Sequence, residues 1–185
     1  MTPEEFSKKL QSAMPEIKKY VESEFPRRAA KIAVDHFKDN FRKGGFLNGG
    51  LKAWDKAKRQ RNSDGKGANA NYGTLLSARN ELFNSIVGRA ANGQAIISTD
   101  KVYAKIHNEG GTIHHPGGTA YYPKNGKAIF VKNATADRYE SLHLHALKRT
   151  KPHSITIPKR QFIGESKELN DDLQKEVERK LNTLL

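Results

Sequence analysis

The chain has 185 residues, of which 36% are apolar and 29% charged, with 33 Lys and Arg against 20 Asp and Glu. This length indicates one domain or a domain with extended arms, and no run of 18 apolar residues suggests a membrane span. Because the chain has no cysteine, disulfides and thiolate chemistry are excluded, and a zinc site would need histidines and carboxylates. The first residues lack the order of a signal peptide, so we expect synthesis in the cytosol.

The net charge of +13 favours polyanionic surroundings, such as DNA, RNA, an acidic protein ring or a membrane face. Residues 52–66 hold six Lys or Arg against two Asp. Cations beside Trp54 could combine phosphate contacts with base stacking, although a solvated, flexible segment with Trp54 as its hydrophobic anchor is the alternative. The candidate polyanion contacts are Lys52, Lys56, Lys58, Arg59 and Arg61.

Residues 1–43 are predicted to form an N-terminal helical arm. Thr2, Pro3, Glu4 and Glu5 match a capping box, and apolar residues then recur at helical spacing. Pro15 should kink or divide this helix, and Pro26 should open a second one. The adjacent glycines 44 and 45 should end it.

Residues 44–73 are predicted to be a flexible basic loop. Glycine, asparagine, serine and basic residues dominate there, and Trp54 is the main large apolar residue. Loops of this length in compact domains usually serve function or assembly.

Residues 74–185 are predicted to form an α+β core within one overall domain. A short helix is expected around residues 75–78, and Asn92 with Gly93 is typical of a β-hairpin turn. Asp100 should cap a short central helix whose face includes Val102 and His107 and which ends at a glycine pair. Strands and a C-terminal helix follow, so the predicted class is α+β with N-terminal helices and a small antiparallel sheet.

Several histidines could in principle hold a metal. His107, His114 and His115 lie close together with Glu109, and His143 and His145 have a spacing that zinc can use. However, the first group does not match a helical HExxH, and adjacent side chains on an extended backbone point apart. We therefore predict a helix end and a loop at this stretch, and no metal site.

Enzymatic signatures are weak throughout the sequence. No serine lies in a G-x-S-x-G elbow, and "GGFLNGG" lacks the Lys-Ser/Thr ending of a phosphate-binding loop. A His-Asn-His type metal nuclease matches poorly, because His107 and Asn108 precede two glycines. We predict no catalytic residue and no cofactor.

Four motifs in order carry a family resemblance. They are "LKAWDKAKRQ", "GTLLSARNELFNSI", "STDKVYAKIHNEGGTI" and "ITIPKRQFIGES" before a terminal helix. This series resembles the phage virion morphogenesis proteins, the tail-completion family that includes the Mu-like protein G, over roughly residues 25 to 185. The residues that match the family pattern are Trp54, Leu82, Ser85, Tyr103, Ala104, Ile106, His107, Gly110, Gly111, Pro158, Arg160, Phe162 and Gly164.

Two departures from the family pattern stand out. Asn108 and Glu109 replace a more usual Gln and an apolar or aromatic residue, and Gln161 stands where proline is common. The resemblance implies a non-enzymatic structural role in tail completion and head–tail joining. It also implies contacts with other phage tail and neck proteins, a homo-oligomeric ring, and a location in the host cytoplasm during assembly and then in the virion.

The shared motifs also suggest physical roles. We expect the His107 imidazole to hydrogen-bond a loop carbonyl, Pro158 to end the last strand, and Arg160 and Phe162 to hold the turn before the C-terminal helix. The alternatives to tail completion are a non-specific DNA-binding accessory protein and a metal-dependent nuclease.

Overall fold

A computed structural model describes residues 2–61, 71–125, 127–131 and 148–185. The chain forms two compact units, a larger one of residues 1–109 and 158–185 and a smaller one of residues 110–157. Helices and small antiparallel sheets occur together, so the predicted α+β class is confirmed. Among the described helices, none combines the length and apolar character that a bilayer span requires.

The larger unit begins with one long helix. Helix α1 (Pro3–Lys19), a π-helical segment (Tyr20–Glu24) and helix α2 (Phe25–Lys43) follow one another without a break. The predicted capping box is present at its start, because Thr2 Oγ1 accepts a bond from the Glu5 main-chain N–H at 3.2 Å. At the other end, Gly44 closes the helix with a left-handed φ of 67°.

The long helix departs from regular α-helical hydrogen bonding at residues 20–24, not at Pro15 as the sequence predicts. Of the predicted kink or division at Pro15, the division is absent, because α1 runs through Pro15 to Lys19. Instead, the main-chain N–H of Phe25 donates to the carbonyl of Tyr20, five residues back. This wider π spacing lies next to Pro26, which has no N–H for the regular helical ladder.

The segment predicted as a mobile loop contains secondary structure in its described part. Strands β1 (Gly45–Leu47) and β2 (Leu51–Ala53) form an antiparallel pair, and a helical turn α3 (Lys58–Arg61) follows. Residues 62–70 lie outside the described residues. Flexibility of this segment stays a prediction, but it is not a simple loop from residue 44 onward.

The middle of the larger unit is a helix, a hairpin and a second helix: α4 (Glu81–Ser85), β3 (Val87–Ala91), β4 (Gln94–Ser98) and α5 (Ala104–Glu109). The hairpin turn at Asn92 and Gly93 is confirmed, with φ of 51° and 70°. Residues 75–78, where a short helix was expected, are not helical. The short helix of this region is α4 instead. Asp100 does not cap α5, which begins four residues later, and Val102 is 97% exposed instead of sharing a packed face.

The C-terminal helix α6 (Lys167–Leu184) completes the larger unit, and the Ser166 hydroxyl caps it by accepting from the Leu169 N–H. Buried apolar side chains from α2, α4, α5 and the loops form its core. The members are Phe41, Trp54, Leu82, Ile86, Ala104 and Phe162. A second cluster joins Ala33 and Phe37 of α2 to Leu169 of α6.

The smaller unit consists of two antiparallel sheets in its described part. One pairs β5 (Gly111–His115) with β9 (His153–Ile157), and the other has β6 (Ala120–Lys124) between β7 (Lys127–Phe130) and β8 (Lys148–Arg149). The loop predicted directly after Gly110 is therefore a strand. His143 and His145 lie outside the described residues.

Candidate functional site

The family motif near the C-terminus is held by hydrogen bonds from several parts of the larger unit. We call residues 158–164 the clamp segment. Its main chain runs between α2, the residues after β2 and the end of α5, and each of these three neighbours makes a hydrogen bond to it.

The first neighbour is the C-terminal end of α5. The Arg160 main-chain N–H donates to the carbonyl of His107 at 2.8 Å. Asn108 Oδ1 accepts two further bonds, from the main-chain N–H of Phe162 at 2.9 Å and of Ile163 at 3.0 Å. The end of α5 therefore satisfies three main-chain donors of an extended segment that has no strand partner there.

The second and third neighbours reach the carbonyls of the clamp segment. Asn40 of α2 is 1% exposed; its Nδ2 donates to the Phe162 carbonyl at 3.2 Å, while its Oδ1 accepts from the Leu47 N–H at 3.1 Å. Trp54 Nε1 donates to the Gln161 carbonyl at 2.9 Å. A proline at position 161 would keep that carbonyl, so this departure from the family pattern preserves the bond.

Aromatic packing fixes the same segment. The Phe162 ring is 1% exposed and lies 5.1 Å from the Phe41 ring, measured between centroids. Phe41 in turn meets Trp54 edge-on at 5.7 Å. Trp54 is 9% exposed, so the structure places it in the core, where it could not stack on a nucleic-acid base.

Arg160 is a buried cation with a main-chain partner. It is 7% exposed, and its Nε donates to the Asp55 carbonyl at 3.1 Å. Burial lowers the pKa of Arg160 from its ordinary value, whereas the negative charge of the nearby Asp55 carboxylate raises it. Arg160 and Phe162 thus both hold the turn before α6.

Among the described residues, the His107 imidazole has no hydrogen bond to a loop carbonyl, which the sequence suggests. Its Nδ1 is buried and has no partner among the described residues, and it is the main-chain oxygen of His107 that bonds the clamp segment. The imidazole meets Tyr103 edge-on at 5.9 Å. Burial lowers the pKa of His107, and the positive charge of Arg160 lowers it further, which favours the neutral ring.

Three further motif residues lie where secondary-structure elements begin or end. Gly110 has a left-handed φ of 78°, which suits glycine at the end of α5, and Gly111 begins β5. Pro158 directly follows the last residue of β9, as predicted. Sequence reasoning missed Asn40 and gave Asn108 no role, although both hold the clamp segment.

The predicted polyanion contacts divide into two groups. The side chain of Arg59 is half-buried and donates to the main-chain carbonyls of Gly73 at 2.6 Å and Leu76 at 2.8 Å. These bonds connect α3 to the chain that precedes α4. Lys52, Lys56, Lys58 and Arg61 are exposed. Lys52 also lines an open cleft of about 280 Å³ with Lys159, which the sequence did not single out.

The histidines of the smaller unit interact in pairs. His114 Nδ1 lies 2.9 Å from Ser154 Oγ, whereas the His115 ring stacks on His153 at 4.9 Å. Adjacent histidines thus point apart, as predicted for an extended backbone. In the described part of the chain, no group of three or more His, Cys, Asp or Glu side chains has a geometry that could hold a metal ion.

Comparison with known families agrees with the motifs now placed in the structure. The phage virion morphogenesis family matches residues 48–182, most of the chain. The chain belongs to the phage virion morphogenesis family. That range holds the clamp segment and every motif residue from Trp54 to Gly164, while α1 and α2 precede it. No curated protein and no solved structure gives a significant match.

Membership in this family indicates a role in building the phage particle, together with other virion proteins. It favours a structural role over a catalytic one. The motif residues agree with that reading, because Trp54, Arg160 and Phe162 are buried and bonded within the protein.

Proposed function

We propose that the protein completes the phage tail and makes it competent to join a DNA-filled head, acting without catalysis as a homo-oligomeric ring. The observation that carries this proposal is the family match over residues 48–182. The motif series that resembles the Mu-like protein G adds the tail-completion role within that family.

The ring follows from the symmetry of the proposed location. Tail tubes are rotationally symmetric, and a head-to-tail contact between copies that closes on itself forms a ring. The partners would be tail and neck proteins, first in the host cytoplasm and then in the virion. An excess of 13 positive charges would suit an acidic neighbouring ring or passing DNA.

A deletion in the phage or prophage that carries the reading frame tests the proposal. After induction, electron microscopy of the lysate should show filled heads beside unattached or wrongly terminated tails, and a plasmid copy should restore joined particles. Normal infectious virions from the deletion would contradict the assignment. Empty heads alone would place the protein at an earlier step of assembly.

A second candidate is non-specific DNA binding, which the exposed cations favour. Lys52 and Lys159 lie on one cleft, and Lys56 is exposed nearby in sequence. Replacing these three lysines with Gln should reduce the slope of log affinity against log salt by about 0.9 for each phosphate that the variant no longer neutralises. Lys18→Gln, an exposed cation of α1, is the matched control. Equal slopes in all variants would reject this surface.

A metal-dependent nuclease is the third hypothesis. His107 has its imidazole against Tyr103 in the larger unit, and His114 bonds Ser154 in the smaller one. Stoichiometric zinc, or divalent-dependent DNA cleavage that disappears on changing His107 or His114, would support it.

A further inference from the structure

Strand β2 is the open edge of the sheet that it forms with β1. The bond from the Trp54 N–H to the Gly44 carbonyl, at 2.8 Å, sets the phase of the ladder between the two strands. Because bonded and non-bonded pairs alternate in an antiparallel ladder, Lys52 is the residue of β2 whose main chain bonds β1. The N–H and C=O groups of Leu51 and Ala53 point away from β1, and they have no partner in the described part of the chain.

The opposite edge of this sheet is covered by the protein itself. Strand β1 packs beside α2, and the outward N–H of Leu47 donates to Asn40 Oδ1 of that helix at 3.1 Å. The edge of β2 has no such cover from the described residues. An edge of this kind is a template for pairing with another extended chain.

A cleft of about 280 Å³ lies beside this edge, lined by β1, β2 and the clamp segment. Phe46 and Trp54 give it an apolar wall, and Lys52 and Lys159 line it as exposed cations. No acidic side chain of the described residues lines the cleft, and neither lysine forms an ion pair within that part of the chain. The cleft therefore holds two uncompensated positive charges against an apolar wall.

The open edge and the charged cleft together identify the partner as an extended acidic peptide. The main chain of a peptide supplies both donors and acceptors to Leu51 and Ala53, whereas DNA phosphates only accept hydrogen bonds and leave the carbonyls unpaired. A lysine on a short edge strand also disfavours a second basic strand, so two β2 strands would not pair with each other. A carboxylate opposite Lys52 is a favourable cross-strand pair.

We propose that the free edge of β2 binds an extended segment of a neighbouring virion protein as an added strand, with acidic side chains of that segment facing Lys52 and Lys159. Side chains alternate between the two faces of a strand, so apolar residues of the segment would cover Leu51, which is 48% exposed. This inference goes beyond the proposed function, because it requires neither a ring nor a role in tail completion.

Intrinsic fluorescence reports on binding at this site, since Trp54 is the single tryptophan of the chain and lines the cleft. The probe is the blocked synthetic peptide TVEVEVT, titrated into the purified full chain. We expect saturable binding with a Kd below about 1 mM, and binding of the neutral peptide TVQVQVT about three- to tenfold weaker. Equal affinity for the two peptides, or no saturation by the acidic one at about 1 mM, would overturn the proposal.

Methylation of the peptide main chain tests strand addition separately from charge. In an antiparallel added strand the valine N–H groups face β2 and the glutamate N–H groups face solvent, while a parallel strand reverses this. Of two peptides, one N-methylated at the valines and the other at the glutamates, one should lose binding and the other keep it. The peptide that loses binding gives the strand direction. Equal affinity of the two methylated peptides would contradict strand addition.

Variants of the protein locate the site. Lys52→Gln and Lys159→Gln should each weaken binding of the acidic peptide about two- to fivefold and leave the neutral peptide unaffected. Lys18→Gln, on α1, is the matched control and should bind as the wild type does. Ala53→Pro removes an outward N–H and no bond to β1, so it should weaken both peptides without changing the melting curve. Wild-type affinity in the double lysine variant would overturn the proposal.

DNA is the competing ligand for the two lysines. At physiological salt a short duplex oligonucleotide should leave the acidic peptide bound. Displacement of the peptide by the duplex, lost in the double lysine variant, would assign this surface to DNA and overturn the peptide proposal. A deletion phenotype that contradicts tail completion would leave these binding measurements unaffected, so the two proposals fail separately.

Discussion

Asn108→Ala tests whether the clamp segment depends on one side-chain oxygen. In the wild type, Asn108 Oδ1 accepts from the main-chain N–H groups of Phe162 and Ile163. The substitution leaves both donors without this partner. Since Phe162 is only 1% exposed, water cannot readily replace the acceptor there.

The expected magnitude follows from the burial of the two donors. An unsatisfied buried donor costs about 1–3 kcal/mol, and half-buried Ile163, which water can approach, should cost the lower part of that range. We expect Asn108→Ala to lower the free energy of unfolding by about 2–4 kcal/mol. In a protein of this size, that decrease corresponds to a fall in Tm of roughly 5–15 °C.

Thermal and urea unfolding followed by circular dichroism measure this effect. Asn108→Asp is the matched control, because its carboxylate can still accept both N–H bonds, and it should keep most of the wild-type stability. A change below about 0.5 kcal/mol in Asn108→Ala would refute the reasoning, since that is the range of neutral surface substitutions. Equal destabilisation of both variants would show that packing, not the acceptor, is decisive.

Three further predictions use the same unfolding measurements. Phe162→Ala should cost about 3–5 kcal/mol as a core aromatic, and a thermal shift near zero would show that Phe162 is a surface contact. Gly88→Ala should cost about 1–3 kcal/mol, because a Cβ would lie 2.9 Å from the Ala30 carbonyl; unchanged stability would mean that β3 moves freely away from α2. Burial lowers the pKa of His107 in the folded protein, so His107 is protonated at a higher pH in the unfolded chain than in the folded one. The stability of the fold should therefore fall as the pH drops below about 6.5. His107→Gln should reduce that dependence without removing it, since burial also lowers the pKa of His36, and an identical pH profile would contradict this.

Local signals in the sequence predicted local structure well. The capping box at Thr2, the left-handed Gly44, the hairpin turn at Asn92 and the strand end at Pro158 each depend on residues a few positions apart. Such signals work because the favoured backbone conformation and its hydrogen bonds are set within one turn of chain. At Pro15 the same reasoning allowed a kink or a division, and the helix is not divided there.

The candidate site depended on contacts that no local signal contains. Asn108 and Phe162 are separated by 54 positions, and Asn40 and Phe162 by 122. The sequence alone did not indicate which groups the Asn108 side chain would bond. It showed that Asn108 departs from the family pattern, but it gave no physical reason for that departure. Arg59 likewise has contacts that the sequence did not indicate: a basic run suggested a polyanion contact, and the side chain bonds the carbonyls of Gly73 and Leu76.

The burial of the motif residues determines how assembly experiments should be read. Arg160 and Phe162 are bonded or packed inside the larger unit, so their substitution would lower stability before it changed any surface that another protein could touch. A defect in tail joining from Arg160→Ala would therefore come with a lower Tm and would say little about contacts. Lys52 and Met14 are exposed and carry no core packing, so the same defect with an unchanged Tm would identify a surface used in assembly. Comparing the two kinds of variant in one complementation assay separates folding from assembly.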